Sequence, residues 1–136
     1  MEITKSLLKE LTYQVNGAAI EVHKALGPGL LESVYHKCLK HELFLRKIYF
    51  VSEVLVPVDY KGISIETELR CDLFVENCLA VELKAIEGIL PIHQAQLLTY
   101  MRLLNAPQGM MINFHCTNIF KEGQKTYVNE LYRKLA

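Results

Sequence analysis

The stretch that most constrains this chain is Arg70-Cys71-Asp72-Leu73-Phe74-Val75-Glu76-Asn77-Cys78-Leu79-Ala80-Val81-Glu82-Leu83-Lys84. Two short apolar runs flank the polar pair Glu76-Asn77, which is the pattern of a β-hairpin. If the loop is Glu76, Asn77 and Cys78, Val75 pairs with Leu79 and Asp72 stands opposite Glu82. Side chains alternate along a strand, so Leu73, Val75, Val81 and Leu83 share one face. Asp72, Phe74, Ala80, Glu82 and Lys84 share the other. Like charges directly opposite one another are unfavourable, so the two facing carboxylates need a reason.

A divalent cation supplies one. Asp72, Glu82, a backbone carbonyl such as that of Leu83, and water form an oxygen set suited to Mg²⁺, which keeps several of its waters. Lys84 lies two residues beyond Glu82, roughly 6.5–7 Å along the strand. There it can orient or deprotonate a water, or offset charge on a phosphate. Lys84 can equally be the ion-pair partner of a solvated charge cluster. The residues alone leave both readings open.

From about Thr4 to Leu26 the apolar positions Leu7, Leu8, Leu11, Val15, Ala18, Ala19, Val22 and Leu26 recur at helical spacing. Gly27-Pro28-Gly29 stops that helix, since Pro lacks a donor and disfavours helical geometry before it. A second helix is expected from about Leu31 to Lys47, burying Leu31, Val34, Tyr35, Cys38, Leu39 and Leu43. Glu32 falls in its first turn, where the helix dipole favours a negative charge. Phe50 to Tyr60 reads as a strand with Pro57 at an edge or bend. After the Lys61-Gly62 turn, a second strand runs from Ile63 into the Asp72 region, and Leu79 to Lys84 is the third. Pro91 opens a helix reaching about Leu104. His93, Gln96, Tyr100 and Leu103 lie on one face of it, with Gln96 and Tyr100 one turn apart. Met110 to Phe114 is a buried strand by its continuous apolarity, expected parallel to the third. Asn129 to Leu135 reads as a short helix packing through Leu131, Tyr132 and Leu135.

Composition narrows the function classes. The 136 residues suit a single domain, 1–136, and 51% are hydrophobic, which excludes a disordered chain. Fifteen basic residues balance fifteen acidic ones, so bulk charge does not mark a nucleic-acid-binding module. Cys38, Cys71, Cys78 and Cys116 have no zinc-ligand spacing. No apolar leader or membrane-length run is present in the sequence, which leads to the expectation of a cytoplasmic protein without membrane association.

Asp72 followed by Glu82-Leu83-Lys84 resembles the PD-(D/E)XK nuclease signature, with Cys71 in the place of its leading Pro. The chain is further similar to the small GxxExxY proteins of that superfamily. Gly29-Leu30-Leu31-Glu32-Ser33-Val34-Tyr35 matches their name-giving motif. Val22 to Gly29 matches the lead-in, and His93 to Tyr100 the later helix motif. The resemblance covers about residues 10–125. It implies a restriction-endonuclease-like αβββαβ core, a mixed four-stranded sheet flanked by helices.

It also implies an Mg²⁺- or Mn²⁺-dependent nuclease, with nucleic acid as partner, DNA being the expected one, in repair or processing. Asp72 and Glu82 hold the metal, and Glu32 extends its shell directly or through water. Lys84 orients the attacking water, and Gln96 with Tyr100 supports it. His23 is either a hydrogen-bonded structural residue or, as in RecB-like nucleases, a metal ligand. The family pattern has a basic residue near Thr126. This chain has none there, so a phosphate contact is either missing or supplied by Lys125. Lys37, Lys40, His41 and Lys47 either track phosphates or form a solvated face. The rivals are a nucleic-acid-binding module without turnover, and a protein-interaction module on the same fold.

Overall fold

A computed structural model describes residues 2–136. Helix α1 (Lys5–Leu26) starts where the Thr4 hydroxyl accepts the Leu7 N–H at 3.0 Å, satisfying one of the orphan donors of a helix start. Helix α2 (Glu32–Leu45) follows. Strands β1 (Phe50–Leu55), β2 (Val58–Tyr60), β3 (Ile63–Ile65), β4 (Arg70–Val75) and β5 (Leu79–Lys84) come next. Helix α3 (Pro91–Leu103) then leads into β6 (Gln108–Asn113). One π-helical turn, Ile119–Gly123, precedes β7 (Gln124–Val128), and α4 (Glu130–Arg133) closes the chain.

The main sheet has the order β1-β4-β5-β6-β7. Antiparallel pairing joins β1, β4 and β5, the β5–β6 pair is parallel, and β7 runs antiparallel to β6. The sheet is thus mixed and flanked by helices, with five strands rather than the expected four. The missed strand is β7, an edge whose Lys125 and Thr126 are exposed and so carry no apolar alternation. The expected long first and second strands are each interrupted. Pro57 breaks the first, and residues 66–69 break the second. The segment beyond them pairs as a separate two-stranded ribbon, β2–β3. Val56 N–H still donates to the Leu69 carbonyl at 2.9 Å, tying ribbon to sheet.

The core lies in two layers. Leu73, Val75, Val81, Leu83, Met110 and Ile112 join Leu8, Leu11, Val15, Tyr35, Leu39 and Leu43 of α1 and α2 in one buried cluster. Ala80 and Met111 meet Leu97, Tyr100 and Met101 of α3 in the other. Each fully buried Leu contributes about 1.5–3 kcal/mol relative to exposure. β6 is buried along its whole length, as expected of a strand covered on both faces. Leu31 corrects an expectation: α2 begins one residue later, and the Leu31 side chain is 75% exposed. Leu131 is likewise exposed, whereas Tyr132 and Leu135 pack on the core. Among the described residues no helix is long and apolar enough to cross a membrane.

Candidate active site

The β4–β5 hairpin has the expected register near its turn: Val75↔Leu79, Phe74↔Ala80 and Leu73↔Val81. One step further would set Asp72 against Glu82, and there the backbone ladder gives way to side chains. The Asp72 N–H donates to Glu82 Oε1 at 3.0 Å, and the Leu83 N–H donates to Asp72 Oδ2 at 2.8 Å. On the other side of β4 the pairing with β1 also lapses at Asp72, opposite Glu53. Glu53 has φ +54°, a left-handed conformation costly for a residue with a side chain. Two carboxylates are thereby pinned side by side by backbone donors, at the C-terminal ends of the parallel pair β5–β6.

Glu82 is 5% exposed, the deepest acid of the molecule. Desolvation, then the neighbouring Asp72 carboxylate, hold its pKa above the ordinary range, against the lowering effects of the Asp72 N–H and Lys84. Cys71, where the signature has Pro, closes the floor beneath. Its Sγ donates to the Leu73 carbonyl at 3.3 Å and approaches that of Val81 at 3.8 Å. Burial and the two acids push this thiol up, so it is a packed donor rather than a nucleophile.

The Gly29-x-x-Glu32-x-x-Tyr35 motif acquires a physical meaning. Gly29 has φ +101°, which only glycine adopts freely. Tyr35 is fully buried, stacked on Phe114 with ring centroids 4.4 Å apart. Its hydroxyl donates to the Gly27 carbonyl at 2.5 Å and accepts the Leu30 N–H at 3.2 Å. The turn is thus anchored to the core, and Glu32 emerges as the first residue of α2. Although Glu32 is open to solvent on one side, surrounding protein and then Asp72 raise its pKa, while Lys84 and His36 lower it. Glu32, Asp72, Glu82 and Lys84 therefore belong to one electrostatic cluster. Lys84 forms no ion pair with either carboxylate among the described residues, where the pairs are Glu42–Arg46 and Glu130–Arg133.

From α3, the Gln96 Nε2 donates to the Tyr100 hydroxyl at 3.2 Å. Burial, then the charges of Glu82, Cys71 and Asp72, raise the Tyr100 pKa. His93 turns away from the cluster: its Nδ1 accepts the Leu90 N–H at 3.0 Å at the start of α3. His23 has a hydrogen bond of its own. Its Nε2 is 2.8 Å from the Cys116 carbonyl oxygen, a hydrogen bond joining α1 to the segment after β6. Sequence reasoning missed His36, one turn after Glu32, whose Nε2 meets the Ser52 hydroxyl at 3.2 Å. Its i, i+4 spacing from Glu32 was the available signal.

The donor set fits a hard divalent cation. Among the described residues, no three His, Cys, Asp or Glu side chains converge into a ready-made cage. Mg²⁺ needs only one or two carboxylates and completes its shell with water. The observation that favours the fit is Glu82: a buried carboxylate destabilised by its neighbour is the state that a cation relieves.

A family model described as the PD-(D/E)XK nuclease superfamily matches residues 9–126. No curated protein matches the chain, and no solved structure does.

Proposed function

This chain belongs to the PD-(D/E)XK nuclease superfamily, and from that premise we propose that it hydrolyses phosphodiester bonds of nucleic acid, DNA first, using Mg²⁺ or Mn²⁺. Asp72 and Glu82 would hold the cation with the Leu83 carbonyl, and Glu32 would join through water. Bound there, the cation supplies Lewis-acid polarisation of a phosphoryl oxygen and lowers the pKa of water. Lys84, unpaired with either acid, is available to orient that water and to offset charge gathering on the phosphate. Gln96 fixes the Tyr100 hydroxyl, which limits the positions open to the substrate backbone. The GxxExxY resemblance assigns Glu32 the same part, and the anchoring of its turn by Tyr35 is in keeping with it.

The observation that carries the reading is the interrupted ladder at Asp72 and Glu82, where two acids replace backbone pairing. A surface charge cluster has no need of such an arrangement. The test is calorimetric titration of the folded protein with Mg²⁺ and Mn²⁺, alongside cleavage of labelled single- and double-stranded DNA and RNA. Saturable binding with metal-dependent cleavage is expected. Binding of nucleic acid without cleavage under any metal would favour the module without turnover. Absence of metal binding in protein with an intact circular dichroism spectrum would overturn the reading.

A further inference from the structure

Next to the carboxylates, on the α3 side of the sheet, lies a cavity of about 430 Å³ that the hydrolytic reading does not use. Its position follows from strand register. Glu82 pairs with Met111, and Met111 with Lys125, so these three side chains form one row across β5, β6 and β7. Strands lie about 4.8 Å apart, which sets the Lys125 backbone about 10 Å from that of Glu82 on the same face. Lys84 pairs likewise with Asn113. Met111, Asn113 and Lys125 all line the cavity, so it opens one strand away from the proposed cleavage residues.

The lining has a definite chemistry. The Asn113 side chain is consumed in building the wall: it accepts the Ile86 N–H at 3.1 Å and donates to the Ile86 carbonyl at 2.9 Å. That pairing fixes the loop after β5, which carries Glu87 to Ile89 along the rim. Tyr127 is part of the wall, with its hydroxyl buried away from the open space. The Lys125 ammonium sits 5.6 Å from the centre of the Tyr127 ring. Gln94 and His115 add an amide and an imidazole. Two acids, Glu87 and Glu122, offset Lys125, so no positive excess favours a bare phosphate. Amide and imidazole groups beside the Tyr127 wall suit a neutral planar ring with donors and acceptors along its edge.

We propose that this cavity receives the base of an unpaired nucleotide next to the scissile phosphate, and that the substrate is therefore single-stranded or frayed there. The inference rests on the nuclease reading. A cavity of this size admits one nucleotide and not a duplex, and a base must leave its stack to enter such a pocket. Gln94 hydrogen-bonds the base edge, and Lys125 follows the backbone beside it.

The test is fluorescence anisotropy with the full chain in chelator, so that no cleavage occurs. The probes are a short labelled single strand, its blunt duplex, and an equal-length strand lacking bases. Wild type should bind the single strand at least about tenfold more tightly than the duplex or base-free strand, the scale of one buried base. Gln94→Ala, at the rim and no threat to folding, should weaken single-strand binding about fivefold to tenfold, the worth of one hydrogen bond. Its binding to the base-free strand should be unchanged. Equal wild-type binding to single strand and duplex would overturn the pocket inference, as would a Gln94→Ala variant that binds like wild type or no binding to any probe, while the nuclease reading is judged on metal binding and cleavage.

Discussion

The two ends of the β4–β5 hairpin obey different rules. At the turn end, Leu73, Val75, Leu79 and Val81 are fully buried and paired in regular register. At the open end, Asp72 and Glu82 take over the backbone donors, and the β1 partner Glu53 is forced into a left-handed conformation. One stretch of chain is optimised for stability; the other holds a destabilised charge pair in place. Strain placed beside a well-packed anchor is how a site can stay rigid while remaining unfavourable on its own.

Substitutions should separate the two ends. The largest effect on folding is expected from Leu73→Ala, which leaves a cavity in the main core. It should lower stability by about 2–5 kcal/mol in urea denaturation. A loss well under that range would mean the turn end is not the anchor. Lys84→Ala should do the reverse. Its side chain is partly exposed and unpaired, so stability should hardly change, while metal-dependent cleavage falls at least about 10²-fold. Unchanged cleavage would place the activity elsewhere.

Smaller still is the effect of Glu82→Gln. The new carbonyl can accept the Asp72 N–H as before, and the charge is gone. Without metal this variant should be more stable than wild type by about 0.5–2 kcal/mol, as when strain at a functional site is relaxed. With Mg²⁺ wild type should gain melting temperature and the variant should not. Destabilisation of the metal-free variant would show instead that the charge is part of a favourable network.

The finest test is pH. The folded pKa of Glu82 lies above its unfolded value, so between the two the folded state binds more protons than the unfolded chain. Wild-type stability without metal should therefore fall as pH rises from the ordinary carboxylate range through the raised folded value, then level off. Glu82→Gln should lack that decline. Parallel slopes for the two proteins would remove Glu82 as the source.

Much of this was written in local pattern. The helical spacing of Leu8, Leu11, Val15 and Val22, the Thr4 cap, and the register of Val75 with Leu79 are properties of neighbours in sequence, and the chain states them directly. So does the meeting of Asp72 and Glu82, since a hairpin of fixed loop length leaves its strands one register. Other features were decided only by the tertiary fold. β7 is a strand because β6 offers it an edge, while its own residues look like a polar tail. The long first strand splits because Pro57 cannot continue the ladder, yet Val56 reaches Leu69 to keep the ribbon attached. His23 sits near the end of α1 in either of its readings. Only the approach of Cys116, 93 residues away, gives it the hydrogen bond it makes there. Local sequence fixes which way a side chain faces along its element; which groups arrive opposite it depends on contacts between distant segments, and those are settled by packing.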